Sequence, residues 1–144
     1  MKLPTDREIL EAIYKRYYPA FGAFAKEGVD TRSTKVYVPV DLHAIAESFE
    51  VDGDIIFGRL YYYLEDKYGY KRDDGSRVHF FAAFEIPGER HCIHFPMLSS
   101  VLASLQEEYS RQQWTRWLSI ASIFVAGVAL GISVWKAFGS TGMV

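Results

Sequence analysis

Between Trp117 and Trp135 the chain reads WLSIASIFVAGVALGISVW, 19 residues without a charged side chain. As an α-helix such a run is about 28 Å long, close to the thickness of the hydrocarbon core of a bilayer. The flanks match that environment. Trp114, Trp117 and Trp135 fall where aromatic side chains line the interface, and Arg111, Arg116 and Lys136 bracket the apolar stretch. A buried core helix is the competing reading, but the residues in front of it are too few to surround an apolar helix on every side. The expectation is a single-pass, tail-anchored chain with a cytoplasmic domain at 1–110, a juxtamembrane segment at 111–116, a transmembrane helix at 117–138 and a short tail at 139–144. Two arginines before the span and one lysine after it favour the cytoplasmic side for the N-terminal domain.

Inside the span Gly127 and Gly131 form a GxxxG, and Ser119, Ser122 and Ala126 add small residues at nearby helical spacings. Small side chains let two helix backbones approach closely, so this face is the candidate for self-association or for docking on another helix.

The remainder has a different composition. Up to Ser110 there are 13 Lys and Arg against 18 Asp and Glu, a net charge of −5. The opening MKLPTDREIL has neither the apolar core nor the small-residue cleavage site of a secretory signal. The one cysteine, Cys92, makes no internal disulfide, which fits a reducing compartment.

Thr5 and Glu8 form a capping box, and Ile9, Leu10, Ile13, Tyr14 and Tyr17 recur on one face, predicting a helix from about Asp6 to Tyr18 that Pro19 and Gly22 end. A loop to about Thr34 follows. KVYVPV at 35–40 reads as an edge strand because Pro39 lacks a ladder donor. Asp41 caps a helix carrying Leu42, Ile45, Ala46 and Phe49. After the turn Val51-Asp52-Gly53-Asp54 a third helix is expected, with Ile56, Leu60, Tyr63 and Leu64 buried and Gly69 at its end. Next come Tyr70 to Arg72, a turn at Asp73-Asp74-Gly75-Ser76, and a strand in which Val78, Phe80, Ala82, Phe84 and Ile86 alternate onto one face. Pro87-Gly88-Glu89 turns the chain into a short strand, Arg90 to Phe95. Pro96 then opens a helix in which Met97, Leu98, Val101, Leu102 and Leu105 repeat, and no strong breaker stops it before the span, so one nearly continuous helix is expected from about Pro96 to Phe138.

A helix, a short strand, a tight helix pair and a hairpin is an order that resembles winged-helix domains over Asp6 to Phe95. The resulting expectation is an α+β fold: a small winged-helix-like domain of three helices plus a β-hairpin or three-stranded wing, then the long helix that continues into the membrane span.

Winged helices often bind DNA, which requires a positive surface. The third helix offers Arg59 and Lys67 against Asp54, Glu65 and Asp66, and in the wing Lys71, Arg72 and Arg77 are offset by Asp73 and Asp74. Nucleic acid is therefore disfavoured. Tyr61-Tyr62-Tyr63 cannot all face the core, since consecutive helical residues are about 100° apart. With Arg59 and Tyr68, the exposed tyrosines Tyr61 and Tyr62 are the candidate partner-binding surface. His79, Cys92 and His94 are the candidate metal ligands, but a structural zinc wants four and no second cysteine exists. No catalytic motif is found and no cofactor is expected. The leading expectation is a membrane-anchored protein-interaction or regulatory module, alone or as a self-associating subunit of a membrane-associated assembly. The alternatives are a membrane-tethered DNA-binding regulator and a metal-binding or catalytic protein built on the His/Cys cluster.

Overall fold

The computed structural model describes residues 3–24, 34–83 and 91–139, with side chains as far as 136. By its contacts the chain divides into two compact units, Met1–Leu105 and Gln106–Val144. The first is a mixed helix and strand domain. Its elements are α1 (Asp6–Ala23), β1 (Tyr37–Pro39), α2 (Leu42–Glu47), α3 (Gly53–Gly58), a π-helical segment (Arg59–Leu64), α4 (Glu65–Tyr68), β2 (Tyr70–Lys71), β3 (Arg77–Val78), β4 (Phe81–Ala82), β5 (Cys92–His94) and the start of α5 (Phe95–Gly139).

The expected capping box is formed: Glu8 N–H donates to Thr5 Oγ1 at 3.3 Å and Thr5 N–H donates to Glu8 Oε2 at 2.7 Å. Helix α1 then buries Ile9, Leu10 and Ile13. It does not stop at Pro19, and the proline sits inside a helix that runs to Ala23. The extra turn places Phe21 flat on Phe95, with ring centroids 4.8 Å apart, and Tyr14 stacks on the same Phe95 ring at 5.4 Å. Stacking of that kind contributes about 0.5–1.5 kcal/mol beyond the buried area, which offsets part of the cost of the hydrogen bond that Pro19 cannot donate. The expected loop at 25–33 lies outside the described residues.

Two small sheets follow. One has the order β1-β5-β4, antiparallel throughout, with Val38 opposite Ile93 and Ile93 opposite Phe81; the other pairs β2 with β3. Strand β1 lies at the edge, the one place where Pro39 is tolerated. Its hydrogen bonding continues past the strand ends, from Val40 N–H to His91 O and from Phe95 N–H to Val36 O. Strand β5 is central, and Cys92 and Ile93 are both buried. The β2–β3 turn requires its glycine: Gly75 has φ +85° and donates to Arg72 O, while Arg72 N–H donates to Ser76 O.

Asp41 caps α2 by accepting from Ala44 N–H at 3.1 Å. Leu42, Ile45 and Ala46 are buried as expected, and Phe49 packs beside them. Asp52 caps α3 in the same way. Beyond Gly58 the regular helix widens: Glu65 N–H reaches Leu60 O, five residues back. Ile56, Leu60 and Leu64 keep a four-residue spacing into the core, whereas Tyr63, expected to join them, is 46% exposed. The chain from Val78 to Ala83 departs from simple alternation. Val78, Phe80, Phe81, Ala82 and Ala83 are all buried, because the strand breaks at His79–Phe80 and both sides of β4 are covered. Phe84, Ile86, the turn Pro87-Gly88-Glu89 and Arg90 lie outside the described residues.

Helix α5 begins at Phe95, one residue before the expected Pro96, and buries Leu98 and Leu102 in the core with Met97, Val101 and Leu105 alongside. In the second unit the same helix presents its large apolar side chains outward, among them Phe124, Val125, Leu130 and Trp135, with none of its apolar window buried. This helix is long and apolar enough to cross a membrane.

The turn after α2 leads to a stability prediction. Glu50 adopts φ 55° and Val51 N–H donates to Ala46 O, the closing bond of a left-handed helix C-terminus at which glycine is preferred. Glu50→Gly is expected to raise stability by about 1 kcal/mol in chemical denaturation.

Candidate functional site

The π-helical turn matters for what it positions. Along a regular α-helix Glu65 would lie about 140° around from Leu60, on the solvent side. The widened turn instead carries Glu65 inward, and it is the buried charged side chain among the described residues, 7% exposed. Its Oε2 accepts from Phe80 N–H at 2.7 Å and from Phe81 N–H at 2.9 Å. Its Oε1 accepts from Arg77 Nε at 3.3 Å and Nη2 at 3.2 Å, and lies 2.7 Å from His79 Nδ1. An ionised carboxylate accepts only, so the imidazole presents Nδ1–H. His79 is held from its backbone as well: its N–H donates to the Tyr37 hydroxyl, which donates to His79 O. Gly69 completes the arrangement, because a Cβ there would stand 2.7 Å from Glu65 O and 2.8 Å from Glu65 Oε1.

Above this carboxylate opens a groove of about 480 Å³ lined by Tyr61, Tyr62, Asp66, Arg77, Phe81 and their neighbours. Its aromatic wall is ordered. Tyr61 stacks on Phe57 with ring centroids 5.2 Å apart, and Tyr62 stands edge-on to Tyr61 at 5.0 Å. Tyr62 is 72% exposed.

The four candidate partner residues have separate fates. Tyr61 and Tyr62 come together on the groove. Arg59 is committed within the domain, paired with Asp6 and lying 4.9 Å over the Tyr63 ring. Tyr68 is half-buried, packed beside the buried cluster with its ring 5.5 Å from Phe80.

The three candidate metal ligands diverge. His79 turns to Glu65, Cys92 is buried in the central strand, and His94 Nδ1 accepts from Met97 N–H at 3.2 Å, at the start of α5. Among the described residues no three His, Cys, Asp or Glu side chains are grouped to hold a metal. His91 packs against the Phe81 ring, with centroids 6.1 Å apart, and borders a second hollow of about 450 Å³ with Asp41, His43, Asp54 and Phe57. Neither that hollow nor the roles of Glu65, Asp66 and Arg77 were visible in the spacing of the sequence. The only hint for Glu65 was its place four residues before Gly69.

In the second unit Ser119 Oγ donates to Thr115 O at 3.0 Å and Ser122 Oγ donates to Ser119 O at 2.8 Å. These hydroxyls are satisfied within their own helix, which makes them compatible with an apolar surrounding. Gly127 and Gly131 have nothing within 4 Å of where a Cβ would stand, and Ala126 shares their exposed surface. Arg111 pairs with Glu107 one turn earlier; Trp114, Arg116, Trp117, Trp135 and Lys136 are exposed.

Two measurements follow from this geometry. Glu65→Ala strands two buried N–H groups and is expected to cost about 3–5 kcal/mol of unfolding free energy. Glu65→Gln retains an acceptor and is expected to cost less than half of that. The second measurement concerns His94, whose imidazole is held below its ordinary value, chiefly by burial and additionally by the charge of Arg72. The neutral ring is thus favoured in the folded state. Stability is complete above the unfolded-state pKa of about 6.5 and declines as pH falls below it, because the unfolded chain takes up the proton first. His94→Asn keeps an acceptor for Met97 and removes the titration, so its unfolding midpoint is expected to fall less than that of the parent chain between pH 7 and pH 5.

Comparison with protein-family models, with curated proteins and with solved structures finds no match to this chain.

Proposed function

We propose that this chain is a membrane-anchored protein-interaction module, fixed in the bilayer by α5 with its N-terminal domain on the cytoplasmic side. The observation that carries the reading is the aromatic groove, where Tyr61 and Tyr62 stand exposed beside the Glu65 carboxylate that bonds to Phe80 and Phe81. Exposed tyrosines around a fixed hollow are the side chains from which protein interfaces draw most of their binding energy. The apolar surface of α5 supports the other half: side chains such as Phe124 and Leu130 are exposed over a continuous stretch, and a bilayer covers such a stretch. Flanking Trp114, Trp117, Trp135, Arg111, Arg116 and Lys136 supply the interfacial anchors and the charge bias that sets orientation. The order of helices and strands, with β1 beside β5, supports a winged-helix-like reading of the domain.

The charge distribution favours a protein partner over nucleic acid. Arg59 and Arg77, the two arginines nearest the groove in sequence, are paired with Asp6 and Glu65. Phosphate binding draws on unpaired cations. The GxxxG of Gly127 and Gly131 adds self-association within the membrane to the reading.

A photo-crosslinking residue placed at Tyr62 in native membranes is expected to give a discrete adduct, whereas one at Lys15, exposed on α1, gives none. An adduct of twice the chain's mass identifies a second copy, and any other fixed mass identifies a different protein. Equal labelling from both positions, or none from Tyr62, contradicts the proposal.

A further inference from the structure

We infer that the groove beside Tyr61 and Tyr62 receives an arginine side chain of a partner protein. This rests on the interaction reading above and names the chemistry of the partner. Three observations lead to it. First, the tyrosine rings of this helical segment already attract cations: the Arg59 guanidinium lies 4.9 Å over Tyr63, and Lys67 Nζ lies 5.6 Å from Tyr63 and 5.2 Å from Tyr68. A ring's negative face favours a cation, by more when water is excluded. Second, Tyr61 and Tyr62 meet at 82° and form an aromatic corner, and no described cation lies over either ring. Third, the groove's charges do not cancel. Glu65 is taken up by Arg77, His79 and two backbone N–H groups, whereas Asp66 lines the same groove with no ion pair to any described residue.

An aromatic corner beside an uncompensated carboxylate suits a cation that has a flat face and hydrogen-bond donors on its edge. A guanidinium meets both requirements, stacking on a ring while its N–H fork reaches a carboxylate. A lysine ammonium lacks the flat face. A quaternary ammonium, as in a choline headgroup, has no donor for Asp66 and draws only on the rings. The net charge of −5 up to Ser110 adds a long-range attraction for a basic segment.

The test uses the full chain in maltoside micelles at low ionic strength, with ¹³C-labelled tyrosine rings observed by NMR. The probe is acetyl-Gly-Arg-Gly-amide, compared with its citrulline counterpart and with choline chloride. The arginine peptide is expected to shift the Tyr61 and Tyr62 ring signals saturably, with a Kd on the order of millimolar. Asp66→Asn and Tyr62→Leu are each expected to weaken it by about threefold or more. Both side chains are on the surface, so neither change threatens folding, and the unchanged Tyr14 and Tyr68 ring signals check this directly. Absence of a saturable shift, an equal effect of citrulline, or stronger binding of choline each overturns the inference; the last assigns the groove to a lipid headgroup. The crosslink from Tyr62 is read independently, so an interaction surface that takes no arginine is distinguishable from no interaction surface.

Discussion

The Glu65 carboxylate is the contact on which the rest of the N-terminal domain depends. It bonds the π-helical turn to the backbone at Phe80, just before β4, and at Phe81, the first residue of β4, and it draws in Arg77 and His79 from the same stretch. A buried carboxylate is costly unless its lone pairs are used, and here both oxygens are. That requirement explains three local departures from regularity. The helix widens so that Glu65 can point inward, the strand breaks so that two successive N–H groups can point at one oxygen, and residue 69 has no side chain because a Cβ would strike the Glu65 carbonyl.

The sequence made the apolar framework legible, because burial follows the periods of helix and strand. Thr5 with Glu8, Asp41 before Leu42, Pro39 at a sheet edge and Gly75 in the β2–β3 turn each have a local physical cause, and each is found where that cause puts it. Tertiary contacts decided the rest. Pro19 reads as a helix end until Phe21 and Phe95 are known to stack. Within YYYLEDK a glutamate reads as solvent-facing, since a period of 3.6 residues has no place for a turn of five, and the same error put Tyr63 inside and left Glu65 out. The His/Cys cluster looked like a donor set on a strand. Strand β5 is central, however, and its neighbours take those side chains in different directions.

Tyr61 and Tyr62 were legible as tyrosines too many for one core face. Their setting was not legible: the Phe57 ring backs Tyr61, and Glu65 and Asp66 line the same groove. In the proposed role, a pre-organised surface of this kind loses little conformational entropy when a partner binds, which is how a small patch gains affinity. Anchoring by α5 would add to this by confining the domain to two dimensions, where a weak contact suffices if the partner shares the membrane.

The most direct test of Glu65 as the organising contact is native-state hydrogen exchange of the full chain, read at single amides. Phe80 lies in the break between two-residue strands and Phe81 is the first residue of the second of them, where amides ordinarily exchange through small local openings. If the carboxylate holds them, they exchange as slowly as Ile93 in the central strand and accelerate together in Glu65→Gln. Exchange of Phe80 and Phe81 as fast as that of the Gly75 turn, with Ile93 remaining protected, would contradict the account.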